Sequence, residues 1–307
     1  MTRTAIVCTA LAASACMPPE WGANAVLHPY RKPLSAAPDI PYEDVAFTGD
    51  GEVALRGWRF PARGPRRGLV VYLHGIGDDR AGGIGLAKRF GPLGWDVLAY
   101  DSRAHGASGG DACTYGAREK RDLVRVLDEA KADRVVLFGS SLGAAVALQA
   151  APLDARVRGV IAQSPFSSLE EIARDRAPWF ATDAEIARAL DIAQMQGRFT
   201  LADASPVASA RDIRVPVLLI HGVRDRDTRP AHSERIAAAL AGPKRLLLVP
   251  GAGHDDTLRD PAIWSEIEGW LAALPLDRWL PLSAARTGSA IPATPTRRDI
   301  PTAPRSS

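Results

Sequence analysis

Residues 134–149 constrain the fold of this chain more than any other segment. They begin with a run of β-branched apolar residues, pass through a turn that contains two glycines, and continue as an alanine-rich helical sequence. The turn, Gly139-Ser140-Ser141-Leu142-Gly143, has the G-x-S-x-G spacing, in which small residues permit a sharp change from strand to helix. Such a turn places Ser141 Oγ above a sheet and at the N-terminus of a helix, where negative charge is stabilised. The segment therefore predicts a nucleophilic serine.

The same spacing occurs a second time, at Gly106-Ala107-Ser108-Gly109-Gly110. No helical sequence follows this second copy, and the residues before and after it are typical of a glycine-rich loop. Because a serine nucleophile needs the strand-to-helix context as well as the spacing, we interpret Ser108 as structural and Ser141 as the nucleophile.

Apolar runs with strand character alternate with helical patterns along most of the chain, after an initial alternating hairpin. This alternation predicts an α/β fold, a three-layer sandwich with a mostly parallel sheet. The predicted strands are 43–48, 53–60, 69–73, 95–100, 134–138, 157–162, 217–220 and 245–249, and the predicted helices are 84–90, 117–130, 142–149, 233–240 and 262–271.

Residues 165–204 interrupt the alternation. Ser168 and Thr182 are each followed three residues later by glutamate, which predicts two capped helices, the second of them closed by Gly197. Because this insertion falls on the carboxyl side of the predicted sheet, we expect a small helical lid. The predicted domain spans residues 41–274, between a proline-rich irregular arm (16–40) and a disordered tail (275–307).

Residues 1–15 resemble a secretory signal, with one positive charge, an apolar centre and a small-residue cleavage site. Ser14-Ala15-Cys16 is similar to the end of a bacterial lipobox, although Ala13 stands where leucine is usual. Three interpretations stay open: a lipoprotein with a membrane tether on Cys16, soluble export to the periplasm or beyond, and no signal at all. We therefore expect an exported protein.

Composition excludes several classes of function. The formal net charge of +3, without a basic stripe, disfavours nucleic-acid binding. The three cysteines form neither a disulfide framework nor a metal-ligand spacing, and no apolar run is long enough to span a membrane. We expect no metal and no cofactor, and the sequence does not indicate an oligomeric state.

A serine nucleophile needs a base and an acid that orients the base. Two predicted strand ends supply them. Asp225 and Asp227 follow the strand 217–220, and His254 follows the strand 245–249. The order Ser141, Asp225, His254 is the order expected for an open α/β sheet, with Asp227 as the alternative acid.

These motifs together resemble the α/β-hydrolase superfamily, and within it the branch of lysophospholipase-like, monoacylglycerol-lipase-like and aminopeptidase-like serine hydrolases. The resemblance implies that His254 is the general base, that Asp225 orients it, and that the backbone N–H groups of Ile76 and Leu142 form the oxyanion hole. One departure is Ala104, where the family commonly has glycine. The resemblance rests on His74-Gly75, residues 100–110, the turn at Ser141, residues 216–225 and Gly253-His254.

The sequence thus predicts a serine esterase that forms an acyl-enzyme with a small-molecule acyl substrate. Amide, peptide or thioester hydrolysis by the same residues stays open, as does a non-catalytic exported binding protein. An aspartate nucleophile is disfavoured because Ser141 occupies the turn. Among the other histidines, His74 and His221 are predicted to be structural, and His232 is expected at the surface.

Overall fold

A computed structural model describes residues 18–276, and one sheet of eight strands runs through them. In chain order the strands are β1 (Glu43–Thr48), β2 (Ala54–Phe60), β3 (Gly68–Leu73), β4 (Trp95–Tyr100), β5 (Val135–Ser140), β6 (Val157–Gln163), β7 (Val217–Gly222) and β8 (Lys244–Val249). Their spatial order is β1-β2-β4-β3-β5-β6-β7-β8. The pairs β1–β2 and β2–β4 are antiparallel and the other five are parallel, so the predicted mostly parallel sheet is confirmed.

Helices cover both faces of this sheet and complete the predicted three layers. They are α1 (Pro19–Leu27), α2 (Gly82–Phe90), α3 (Glu119–Glu129), α4 (Leu142–Ala150), α5 (Leu169–Arg176), α6 (Asp183–Gly197), α7 (Pro206–Ala210), α8 (Ala231–Ala239) and α9 (Pro261–Ala272). Alternate side chains of the central strands enter two separate cores, as the two-residue period of a strand requires. Val70, Val136 and Ile161 pack with α2 and α9, whereas Val71, Leu137 and Val160 pack with α3, α4 and α8.

The sequence predicted an irregular proline-rich arm, but part of this arm is helical. Its residues Pro19–Leu27 form α1, which buries Ala23 and Leu27. The helix packs so closely on α6 that a Cβ added to Gly22 would lie 2.9 Å from Ala189 Cβ. A helix of nine residues depends on tertiary packing for its stability, and its own sequence carries too few turns to show a clear periodicity.

The arm continues along the protein surface after α1 and is held by the loop that follows β4. Arg31 donates to the carbonyl oxygens of Ser108 and Gly110, and the Cys113 N–H donates to Leu27 O at 2.8 Å. Nearer β3, the Asp79 carboxylate accepts hydrogen bonds from Ser35 N–H and Oγ–H, both at 3.0 Å. The arm is therefore docked on the domain at several points.

The insertion at residues 165–204 has the two predicted helices, α5 and α6. Ser168 caps α5, and Thr182 forms a capping box with Glu185 at the start of α6. The prediction that Gly197 closes α6 is wrong by one residue: Gly197 is still helical, and the left-handed residue is Arg198, with φ 53°. The short helix α7, which follows the insertion, was not predicted.

Some predictions concern residues beyond the described range. The signal segment 1–15, the lipidation of Cys16 and the tail from residue 277 onward lie outside residues 18–276 and stay predictions. Within residues 18–276, no helix is both long enough and apolar enough to cross a bilayer.

Candidate active site

Ser141 lies in a strained turn between β5 and α4. Its backbone has φ 50° and ψ −110°, a region that residues with a side chain rarely adopt. Two hydrogen bonds fix this conformation: Ser141 N–H donates to Gln163 O at 2.8 Å, and Ser141 O accepts from Ala145 N–H at 3.1 Å. The turn places the serine at the carboxyl end of β5, directly before the first residue of α4.

Gly139 and Gly143 are required at this turn by close approach of the backbone. A Cβ on Gly139 would overlap the Gly143 carbonyl, and a Cβ on Gly143 would overlap the carbonyl oxygen of Leu73 at the end of β3. Neither glycine has a positive φ. The G-x-S-x-G spacing therefore reflects how tightly β3, β5 and α4 pack against one another.

Asp225 and His254 form a hydrogen-bonded pair in the loops after β7 and β8. His254 Nδ1 lies 2.6 Å from Asp225 Oδ2. The other carboxylate oxygen of Asp225 accepts from the backbone N–H groups of Asp227 and Thr228, each at 2.9 Å. Asp227 contributes only this backbone donor, and its own side chain is exposed. Of the two candidate acids, the structure brings Asp225 to His254.

The charge state of Asp225 fixes the tautomer of His254. Burial alone would raise the pKa of this carboxyl, but hydrogen bonds from His221, His254 and the Thr228 N–H outweigh burial and hold the pKa well below its usual range. An ionised carboxylate only accepts hydrogen bonds, so His254 Nδ1 carries the proton. In the neutral imidazole, Nε2 then has a free lone pair and can act as a base.

The sheet register brings the serine, the acid and the histidine to one edge. Ser140 pairs with Gln163 across β5 and β6, and β6, β7 and β8 follow in parallel beside them. Ser164, the residue after β6, donates from Oγ to His254 O at 3.3 Å, while Gln163 O accepts from Ser141 N–H. The His254 loop is thus joined to the turn at Ser141 through two consecutive residues.

The two residues predicted to supply oxyanion donors, Leu142 and Ile76, belong to segments that adjoin Ser141. Leu142 is the first residue of α4, and the first N–H groups of a helix have no intrahelical acceptor. On the other side, a Cβ on Gly75 would lie 3.6 Å from Ser141 Cβ, so the loop after β3 faces the serine, with Ile76 next in sequence. His74 fixes this loop: Nδ1 donates to Gly75 O at 2.8 Å, and Nε2 accepts from Ser102 N–H at 2.9 Å.

Ser108, the serine of the second G-x-S-x-G copy, is held in a hydrogen-bond network. Its Oγ donates to Asp101 O at 2.6 Å and accepts from Arg56 N–H at 2.9 Å. The Asp101 carboxylate in turn binds Arg80, by backbone N–H and guanidinium, and the Ala107 N–H at 2.9 Å. Ser108 is 2% exposed, and its hydroxyl joins the loop to β2.

A second Ser–His–Asp array, not predicted from the sequence, lies between α5 and α8. The expectation that His232 is at the surface is wrong, since the side chain is fully buried. Its Nδ1 lies 2.6 Å from Ser167 Oγ and accepts from Ser167 N–H, and Nε2 lies 3.1 Å from Asp175 Oδ2. Burial, with a contribution from Arg235, lowers the pKa of His232. Ser167 is also fully buried, so this array connects the insertion to α8 and offers no access to a substrate.

An apolar cleft of about 840 Å³ opens beside Ile76. Its walls are α1, α5, α6 and the segment between α5 and α6, which carries the exposed Trp179 and Phe180. A smaller hollow of about 240 Å³ lies elsewhere, between β1 and the end of α3. Only the larger one borders the loop that faces Ser141.

Comparison with known proteins identifies the family of this chain. The family model for the alpha/beta hydrolase fold matches residues 68–206. An uncharacterised protein of Mycobacterium tuberculosis is 33% identical over 218 residues, which cover 69% of this chain and 72% of the relative. The chain belongs to the α/β-hydrolase superfamily. The uncharacterised YfhR of Escherichia coli is 29% identical over 228 residues, which cover 71% of this hydrolase and 75% of that relative.

Solved structures show the same fold. An esterase from Pyrococcus furiosus superposes with a TM-score of 0.64 at 24% identity, covering 80% of this chain and 99% of that chain. An acetyl xylan esterase from Paenibacillus sp. R4 also has a TM-score of 0.64, at 20% identity, covering 83% and 92%. At such identities the likeness concerns the fold alone.

Proposed function

We propose that this hydrolase is a serine esterase with Ser141 as nucleophile, His254 as base and Asp225 as orienting acid. The observation that carries the proposal is the strained turn at Ser141, located at the same sheet edge as the 2.6 Å His254–Asp225 hydrogen bond. Ester cleavage is proposed by analogy with two esterases of the same fold, and amide cleavage by the same residues stays the alternative.

The proposed reaction has two steps. His254 Nε2 takes the Ser141 proton as Oγ attacks the ester carbonyl, and the N–H groups of Leu142 and Ile76 stabilise the oxyanion. The imidazolium then protonates the leaving alkoxide, which leaves an acyl-enzyme on Ser141. A water molecule, deprotonated by His254, attacks the acyl carbon, and the imidazolium returns the proton to Ser141 Oγ as the carboxylic acid is released. Asp225 stays ionised and stabilises the imidazolium in both steps.

Covalent labelling tests the nucleophile. We expect a fluorophosphonate probe to add once to the protein and peptide mapping to place it on Ser141. Labelling should vanish in Ser141→Ala and persist in Ser108→Ala, the matched control with the same local spacing. An adduct that persists in Ser141→Ala, or that maps to Ser108 or Ser167, would overturn the assignment. Parallel assays on p-nitrophenyl acetate and a matched p-nitroanilide separate ester from amide hydrolysis.

The acid is tested by a pair of substitutions two residues apart. Asp225→Asn should lower kcat by about 10⁴, because the amide no longer stabilises the required tautomer and the imidazolium. Asp227→Asn should leave kcat within a few-fold of the unaltered protein, since only its backbone N–H contacts Asp225. Steady-state rates on the same ester decide between them. A larger loss in Asp227→Asn would transfer the role to Asp227.

A further inference from the structure

The cleft beside Ile76 is apolar along almost all of its wall. The lining side chains from α1, α5 and α6 are mainly aliphatic, and the connecting segment adds two aromatic rings. Those that carry the argument are Val26, Ile172, Ile186, Leu190, Trp179 and Phe180. A cleft of about 840 Å³ with this lining is in the range that holds a ligand much larger than an acetyl group.

The two charged residues at the cleft are already engaged. Arg176 donates to Asp227 O at 3.2 Å and to Thr228 Oγ1 at 3.3 Å, and so points toward the loop that carries Asp225. Glu185 accepts from Thr182 N–H and Oγ–H at 2.8 Å in the capping box. Both charged groups are therefore oriented by hydrogen bonds to neutral partners, and because the other lining residues are uncharged and mostly apolar, we expect the occupant to be mainly hydrocarbon.

The cleft reaches the proposed oxyanion loop. Ile76 lies on the cleft wall, and the preceding residue, Gly75, faces Ser141 closely enough that an added Cβ would be 3.6 Å from Ser141 Cβ. A chain that extends from an ester carbonyl at Ser141 past Ile76 would enter the cleft. One wall of this path is α1, which precedes the segment matched by the family model.

We propose that the cleft binds an aliphatic chain of the ester substrate, so that the enzyme favours medium- and long-chain esters over acetates. The proposal rests on the proposed esterase function and adds its substrate class. Each methylene moved from water into an apolar cleft contributes about 0.8 kcal/mol, or about four-fold in kcat/KM. Helix α1 then acts in substrate selection through its contact with the chain.

Two substitutions in one helix test the cleft. Ala25 lines it and is exposed on α1, whereas the neighbouring Asn24 is exposed and does not line it. For the unaltered protein, kcat/KM should be at least about 100-fold higher on p-nitrophenyl octanoate than on the acetate. Ala25→Trp should lower this octanoate-to-acetate ratio at least ten-fold, because the indole occupies part of the cleft. Asn24→Trp should keep the ratio within about two-fold.

Two further measurements distinguish binding of the acyl chain from binding of the alcohol chain, and binding from catalysis. A parallel series of n-alkyl acetates reports whether the cleft holds the alcohol side of the ester instead of the acyl side. Calorimetric titration of dodecanoate into Ser141→Ala protein measures occupancy without catalysis, and Ala25→Trp in that background should weaken binding at least ten-fold.

Hydrolysis of acetate with no gain in either chain series would overturn the cleft proposal and leave the esterase proposal standing. If dodecanoate binds and Ala25→Trp weakens its binding, but no ester is hydrolysed, the esterase proposal would be overturned and the cleft proposal would stand. A ratio that falls equally in Asn24→Trp and Ala25→Trp would contradict the assignment of the chain to this cleft.

Discussion

Residues 106–110 and residues 139–143 share one spacing, G-x-S-x-G, and the structure uses it in two different ways. In the first segment the hydroxyl of Ser108 both donates and accepts a hydrogen bond, to Asp101 O and from Arg56 N–H. In the second, Ser141 adopts φ 50° at the start of a helix, beside the loop that carries His254. The first serine stabilises a loop, and the second is the proposed nucleophile.

The glycines of the two segments are also required for different reasons. Gly106 and Gly110 have φ of 45° and 87°, in the left-handed region that favours glycine. Gly139 and Gly143 have no positive φ, and they are required because a Cβ would overlap neighbouring backbone. A pattern of residue types therefore specifies a structure only together with the elements on either side of it.

Removing the hydroxyl of Ser141 and that of Ser108, in separate variants, is the strongest test of the difference between the two segments. Ser141→Ala should lower kcat by about 10⁶, since the acyl-enzyme cannot form. Ser108→Ala should keep kcat within ten-fold while destabilising the fold, because the Arg56 N–H loses its acceptor and the Asp101 carbonyl oxygen loses its donor. Rates on p-nitrophenyl acetate and urea unfolding of both variants measure the two effects. Comparable losses of activity in the two would show that the serines are not distinct in role.

A glycine pair tests the packing argument. Gly143→Ala should lower the free energy of unfolding by about 3 kcal/mol or more, because the new methyl overlaps the rigid Leu73 carbonyl. Gly109→Ala is the control: its Cβ would lie 3.4 Å from Ala54 O, an ordinary contact, and its φ is not positive. We expect the control to change stability by less than about 1 kcal/mol. Urea unfolding that ranks the two equally would contradict the close-approach argument.

The free energy of unfolding should also depend on pH through His105, which lies in the loop that contains Ser108. Burial, together with the adjacent His74, lowers the pKa of His105 to about 4. A histidine with a lowered pKa contributes stability that is complete above its unfolded pKa of about 6.5 and is lost as the pH falls toward the folded value. The free energy of unfolding should therefore decrease by about 2 kcal/mol between pH 7 and pH 5 through this group. His105→Asn should remove that part of the dependence, and unchanged slopes would refute it.

The smallest expected change in stability comes from replacing Ala104, a buried residue of the same loop with φ 60°. An alanine in this region is strained, and glycine is not. Ala104→Gly should therefore raise the free energy of unfolding by about 1 kcal/mol without changing kcat. Thermal and urea unfolding would reveal the gain, and a loss of stability would show that the strain is relieved by contacts of the methyl group.

Much of the fold could be predicted from the sequence because its signals are local. The first two strands alternate and most of the parallel strands are apolar runs. The serine turn, the capping boxes and the strand-end acid and histidine each lie within a few residues. What the sequence did not reveal depends on contacts between distant segments. Helix α1 is stabilised on α6, and His232 is buried by α5, which no local pattern records. Gly197 looked like a helix end, but the chain places Arg198 there.

The docking of the arm has a consequence for how this protein can change. Arg31 binds the carbonyl oxygens of Ser108 and Gly110, and Leu27 O binds the Cys113 N–H, so the loop contributes to these contacts only backbone atoms, which nearly every residue possesses. Side chains of the loop can be replaced over evolutionary time without releasing the arm. The loop after β4 can therefore diverge among related hydrolases while Arg31 keeps the arm, with the cleft wall that α1 supplies, docked on the domain.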